Sequence, residues 1–107
     1  MPDTFIINSS GTTIWVENKY VAAWPARLET PVLGLKKGLR PSQRSWHREA
    51  LRRNTPAYVL VGVGSEVFYL PAFSGQGKCL NEFDHNDFLT LAPFTSFESF
   101  YKYARQL

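Results

Sequence analysis

Two acids and a lysine within the first twenty residues carry the chemistry of this chain. Asp3 stands before a short apolar run, Thr4-Phe5-Ile6-Ile7, and Glu17 and Lys19 lie two apart in a second run from Thr12 to Tyr20. If the runs pair, all three groups reach one spot. Two adjacent carboxylates repel each other and do not both ionise cheaply unless a divalent cation lies between them. Such hard oxygen donors suit Mg2+ or Mn2+, which polarise a phosphodiester and lower the pKa of a bound water. An ammonium alongside holds the attacking water or offsets charge developing at phosphorus. These residue types point to phosphodiester hydrolysis.

The elements that must position them follow from the local pattern. Asn8-Ser9-Ser10-Gly11 has turn chemistry, so the two β-rich runs predict a hairpin. Alternation along the second strand puts Trp15, Glu17 and Lys19 on one face and Ile14, Val16 and Asn18 on the other. Ala22 to Leu35, with Pro25, Pro31 and Gly34, reads as a long connection with a short strand at Val32-Leu33. Pro41 suits the first turn of a helix ending near Asn54, before Thr55-Pro56. Gln43, Trp46, His47, Ala50 and Leu51 form its inward stripe, while Arg40, Arg44, Arg48 and Arg52 recur every four residues on another face. Tyr58 to Val63 reads as a strand buried on both faces, and Gly64-Ser65 turns it into Glu66 to Leu70. Pro71 to Leu80 is loop, Phe83 to Pro93 has no assignable pattern, and Ser96 caps a last helix through Phe97, Phe100, Tyr101 and Ala104. This order predicts an α/β (α+β) fold, a small mixed β-sheet flanked by helices.

Pro2-Asp3, a hairpin, and Glu17-Asn18-Lys19 together resemble the signature of the PD-(D/E)XK nucleases. Ile14-Trp15-Val16-Glu17 looks like the hydrophobic strand that carries their glutamate. Leu39 to His47 looks like the "sxxQ" helix start of the VRR-NUC and Holliday-junction-resolvase-like branches, often phage-encoded, and Tyr58 to Val63 resembles the next core strand. The likeness spans residues 2 to 70 and implies a restriction-endonuclease-like core. It implies Asp3 and Glu17 as metal ligands with the Asn18 carbonyl as a third, Lys19 as the catalytic lysine, and Gln43 as an auxiliary residue. It also implies Mg2+ or Mn2+ as cofactor, branched or duplex DNA as substrate, and a role in phage replication, recombination, repair or packaging. Many members place a helix with an acid before the Pro-Asp strand, for which the sequence shows no room ahead of Pro2. The expectation is that a symmetry mate supplies that piece, that the enzyme does without it, or that activity is impaired; a homodimer would supply it and pin the strand, and junction-cleaving relatives are typically dimers.

Composition fits this reading without compelling it. Hydrophobic residues are 44% and aromatics 15% of 107 residues, enough for one core and one domain, residues 1–107. No apolar run approaches the ~18 residues of a membrane span, and Met1-Pro2-Asp3-Thr4 has no signal-peptide character, so the expectation is a cytoplasmic protein, in the host cell if phage-encoded. Cys79 is the single cysteine, which excludes an internal disulfide and an all-cysteine metal site. The net charge is only +3, but Lys36, Lys37, Arg40, Arg44, Arg48, Arg52 and Arg53 concentrate in the middle, a natural dock for a polyanion.

Each feature also has a plainer meaning. The arginine ridge is equally a solvated helix face, Glu17 and Lys19 an exposed cross-strand pair, and Gln43 a hydrogen-bonding core residue. Trp24 either stacks on a base or caps the core. Asp84, His85 and Asp87 resemble a metal cluster only on paper, and His47 and His85 read as structural or exposed. Two functions therefore stand: a metal-dependent DNA endonuclease, and a non-catalytic nucleic-acid- or protein-binding module on a degenerate nuclease fold.

Overall fold

A computed structural model describes residues 3–106, so Pro2, half of the Pro-Asp pair, lies outside the described residues. Strands β1 (Thr4–Ile7) and β2 (Thr13–Val21) form the expected antiparallel hairpin, with Phe5 opposite Trp15 and Thr4 opposite Val16. The turn is built by Asn8, whose side-chain oxygen accepts from the backbone N–H of Ser10 (3.1 Å) and Thr12 (3.0 Å). Gly11, at φ +84°, takes the left-handed conformation that a side chain would strain.

Strand β2 pairs on its other side with β3 (Ala57–Val63) in parallel, from Trp15 opposite Ala57 to Val21 opposite Val63. A parallel pair needs a crossover. Here it carries a one-turn helix, α1 (Gly34–Lys37), and α2 (Pro41–Arg52). Strand β4 (Glu66–Leu70) returns antiparallel to β3, completing a mixed sheet of order β1-β2-β3-β4. Helices α3 (His85–Leu91) and α4 (Phe97–Gln106) follow.

Alternation along β3 sorts the core into two layers. Val59, Val61 and Val63 face a cluster with Val32, Leu33, Leu39, Phe68, Leu70, Leu80, Phe83 and Phe88. Tyr58 and Leu60 face Ile14, Val16, Tyr69, Phe100 and Ala104, under α4. The sheet is thus covered by helices on both faces. Burying each of these aromatic or aliphatic side chains contributes about 1.5–3 kcal/mol before entropy is counted.

Four expectations change. Val32 and Leu33 are buried but form no strand: Leu33 is already helical at the start of α1, its carbonyl accepting from Lys37 N–H (3.3 Å), and Val32 N–H donates to the Phe83 carbonyl (2.9 Å). Leu51 is 62% exposed, since the buried stripe of α2 is Gln43, His47 and Ala50 and Leu51 lies one step around the helix. Tyr58, Leu60 and Gly62 are half-buried, so β3 is fully covered on one face only. The unassigned stretch contains α3, capped by Asp84: its carboxylate accepts from Asp87 N–H (3.0 Å) while Asp87 accepts from Asp84 N–H (3.1 Å).

Candidate active site

The hairpin brings Asp3 and Glu17 together. Asp3 is exposed, and its Oδ2 accepts from the backbone N–H of Asn18 at 3.0 Å, which fixes the carboxylate against β2. Glu17 is 1% exposed, and its carboxyl lies close enough to that of Asp3 for the two to perturb each other. Burial, then the Asp3 carboxylate, pushes the Glu17 pKa up to about 7, while Lys19 pulls weakly the other way. Asp3 is held below its ordinary value by the Asn18 N–H first and by the bond to Glu17 second. Asp3 therefore ionises first, and Glu17 keeps its proton until close to neutrality. Glu17 Oε1 is buried and has no hydrogen-bond partner among the described residues, a costly arrangement for a carboxyl oxygen.

Lys19, half-buried two residues along β2, donates from Nζ to Gln43 Oε1 at 3.0 Å. The same oxygen accepts from the backbone N–H of Arg40 at 2.9 Å. Gln43 is the third residue of α2, where a Gln side chain reaches back to the otherwise orphaned N–H at the cap position. The expected helix start thus does two jobs: it closes the end of α2 and aims an acceptor at the lysine. Asn81, absent from the sequence reading, holds the approach to this helix. Its Oδ1 accepts from Leu39 N–H (2.7 Å) and its Nδ2 donates to the Leu39 carbonyl (2.9 Å). A Cβ at Gly38 would overlap that amide, so glycine is required there. The long separation of Asn81 from residue 39 gives no sequence signal.

His47 is 3% exposed on the buried stripe of α2, with Nε2 unpartnered among the described residues. Burial lowers its pKa to about 4, and the Lys19 ammonium adds to the effect, so the ring is neutral near pH 7. Trp24 caps the core, stacked on His85 at 3.8 Å and edge-on to Phe68 and Phe88, with Nε1 donating to Glu66 (2.9 Å). Asp87 pairs with Lys78 (2.7 Å), so Asp84, His85 and Asp87 are occupied in a cap, a stack and an ion pair.

The basic residues divide. Lys36, Lys37 and Arg40 are exposed, Arg44 is half-buried, and none makes an ion pair among the described residues. Arg40 is close enough to Asp3 to lower its pKa. Arg48 lies over the Phe73 ring at 4.9 Å, and Arg52 and Arg53 both bind Glu49, at 2.6 and 2.7 Å.

Among the described residues no three His, Cys, Asp or Glu side chains gather as a metal site. A divalent ion would have Asp3 and Glu17, with backbone and water supplying the rest. The buried Glu17 carboxyl, with Oε1 unpartnered among the described residues and Asp3 beside it, fits such an ion, because a cation there would let both carboxyls ionise.

The fold and the site define a mixed α+β domain bearing a coupled acidic pair beside a tethered lysine. No protein-family model, no curated protein and no solved structure matches the chain. No helix among the described residues is long and apolar enough to cross a membrane.

Proposed function

We propose that this chain is a metal-dependent endonuclease that hydrolyses DNA phosphodiesters, with Asp3, Glu17, Lys19 and Gln43 as its working residues. The observation that carries the reading is Glu17: a buried carboxyl whose Oε1 has no partner among the described residues, set beside the Asp3 carboxyl and two residues from Lys19. Burying such a group is expensive and adds nothing to the core. A Mg2+ or Mn2+ ion bound by Asp3 and Glu17, with the Asn18 carbonyl, would supply Lewis-acid polarisation of the phosphodiester and an activated water.

The chain's own groups do the rest. Lys19 gives one N–H to Gln43 and keeps two for a phosphate oxygen or the attacking water. Gln43 fixes the direction of that ammonium, and Arg40 presents an exposed guanidinium on the same side as Asp3. Lys36, Lys37 and Arg44 extend the positive surface, with Arg48 further along α2, whereas Arg52, expected in the same ridge, is held by Glu49. These contacts position a backbone without reading sequence, which favours structure-selective cutting of branched or junction DNA. A restriction-endonuclease-like core, a homodimer, and a place in phage DNA metabolism belong to the same proposal.

One observation favours the alternative, a non-catalytic binding module: only two acidic side chains meet at the site. Incubating the protein with plasmid, linear duplex and four-way-junction DNA, with Mg2+, Mn2+ or chelator, decides between them. Metal-dependent cutting that Lys19→Ala abolishes supports the nuclease; binding without cutting under every metal condition supports the module.

A further inference from the structure

Three aromatic rings lie one structural step from three site residues. Phe5 is two along β1 from Asp3, Trp15 is two before Glu17 on β2, and Trp46 is one turn along α2 from Gln43. Two strand residues are about 6.6 Å and three helical residues about 4.5 Å, so all three rings lie one step from the acid–lysine site. They touch: Phe5 and Trp15 centroids are 5.3 Å apart and tilted, and Trp15 meets Trp46 edge-on at 5.7 Å. Trp15 and Trp46 are half-buried, whereas Phe5 is 53% exposed on an edge strand. Phe5 rests on Trp15, which rests in turn on Trp46, so the exposed ring is pre-ordered and stacking on it costs little side-chain entropy.

We propose that Phe5, backed by Trp15 and Trp46, is a stacking platform for an unpaired base next to the phosphate held at Asp3, Glu17 and Lys19. This deepens the nuclease reading and rests on it. The occupant follows from what adjoins the ring: the acid–lysine site one step along the same strands, and Arg40, near Asp3 and without an ion pair among the described residues, for an adjoining phosphate. Aromatic stacking accepts any base, because every base has a π-face. A base inside a duplex is already stacked and must be extruded to reach the ring, at a cost of a few kcal/mol. The platform therefore selects nucleic acid with unpaired nucleotides at the cut: flaps, forks, junction centres or single strands.

The test is binding in chelator, where no cutting occurs, of a short oligodeoxythymidylate and of a blunt hairpin duplex to wild type, Phe5→Ala and Phe5→Trp. The expected result is an affinity for the single strand that falls roughly tenfold in Phe5→Ala and returns in Phe5→Trp, with duplex affinity changed by less than about twofold. Tryptophan emission should be quenched by the single strand in the wild type. Equal loss on both ligands, or no loss on either, overturns the platform. So does sedimentation showing that Phe5→Ala dissolves a dimer, which would assign the ring to a contact between copies. Metal-dependent cutting with a Phe5→Ala variant indifferent to strand state would overturn this inference alone. Phe5-dependent, strand-selective binding by a protein that never cuts would overturn the nuclease reading alone.

Discussion

Lys19 Nζ and Gln43 Oε1 lie 3.0 Å apart, and the same amide oxygen takes the Arg40 backbone N–H at 2.9 Å. The orientation of the lysine is thereby tied to the capping of α2. Gln43→Ala removes both bonds. It should cost about 1 kcal/mol of stability in urea denaturation, the usual worth of a cap, and lower single-turnover cleavage by at least about tenfold. Cleavage at the wild-type rate would show that Lys19 needs no tether.

Glu17 makes stability depend on pH in a definite direction. Its folded pKa is raised from 4.5 to about 7, so the folded state holds the proton longer than the unfolded chain. Its stabilising share is therefore complete below the unfolded value and lost as pH rises through the folded one. At about pH 8 Glu17→Gln should be the more stable protein without metal, by on the order of 3 kcal/mol, and the two should converge at about pH 4. Mg2+ should raise the Tm of the wild type at about pH 8, much less at about pH 5, and not at all in Glu17→Gln. A Mg2+ effect that survives Glu17→Gln would locate the ion elsewhere.

His47 works in the opposite sense. Its folded pKa is lowered from 6.5 to about 4, so the unfolded chain takes up a proton first as the solution is acidified. The stability associated with a neutral ring is complete above the unfolded value and lost as pH falls towards the folded one. Replacing His47 by Leu removes a buried ring nitrogen without a partner, and should remove on the order of 2 kcal/mol of acid sensitivity between about pH 7 and pH 5. Urea midpoints at the two pH values check this, and an unchanged difference would assign the acid sensitivity to other groups.

The split of the basic residues gives a salt-dependence prediction. Arg40 and Arg44 make no ion pair among the described residues, whereas Arg52 is bound to Glu49. Changing Arg40 and Arg44 together to Ala should reduce the slope of log affinity for DNA against log salt by about 2, and Arg52→Ala should leave it nearly unchanged. Equal slopes for the double variant and the wild type would remove α2 from the DNA path.

The local elements were legible because local chemistry specifies them. Alternation in Thr13–Val21 put Glu17 and Lys19 on one face, Asn8 and Gly11 marked the turn, Pro41 marked the start of α2, and Ser96 accepts from Ser99 N–H (3.2 Å) as the cap of α4. Where the reading failed, longer-range terms decided. Val32-Leu33 has strand-like residues but leads straight into α1, and Leu51 has an apolar side chain but faces outward on a helix whose inner face is set by the sheet beneath it. Helix α3 was missed although Asp84 and Asp87 spell its cap, because the apolar residues after them are too few to establish a period.

The sequence by itself determined which groups are available to act: two carboxyls and a lysine on a hairpin, and a glutamine at a helix start. Only the tertiary structure decided their state. Stacking α2 against β2 buries Glu17 and His47, sets Gln43 against Lys19, and lines Phe5 and Trp15 up with Trp46. Burial and proximity across distant parts of the chain set the charge on each group, and no spacing along a sequence encodes them.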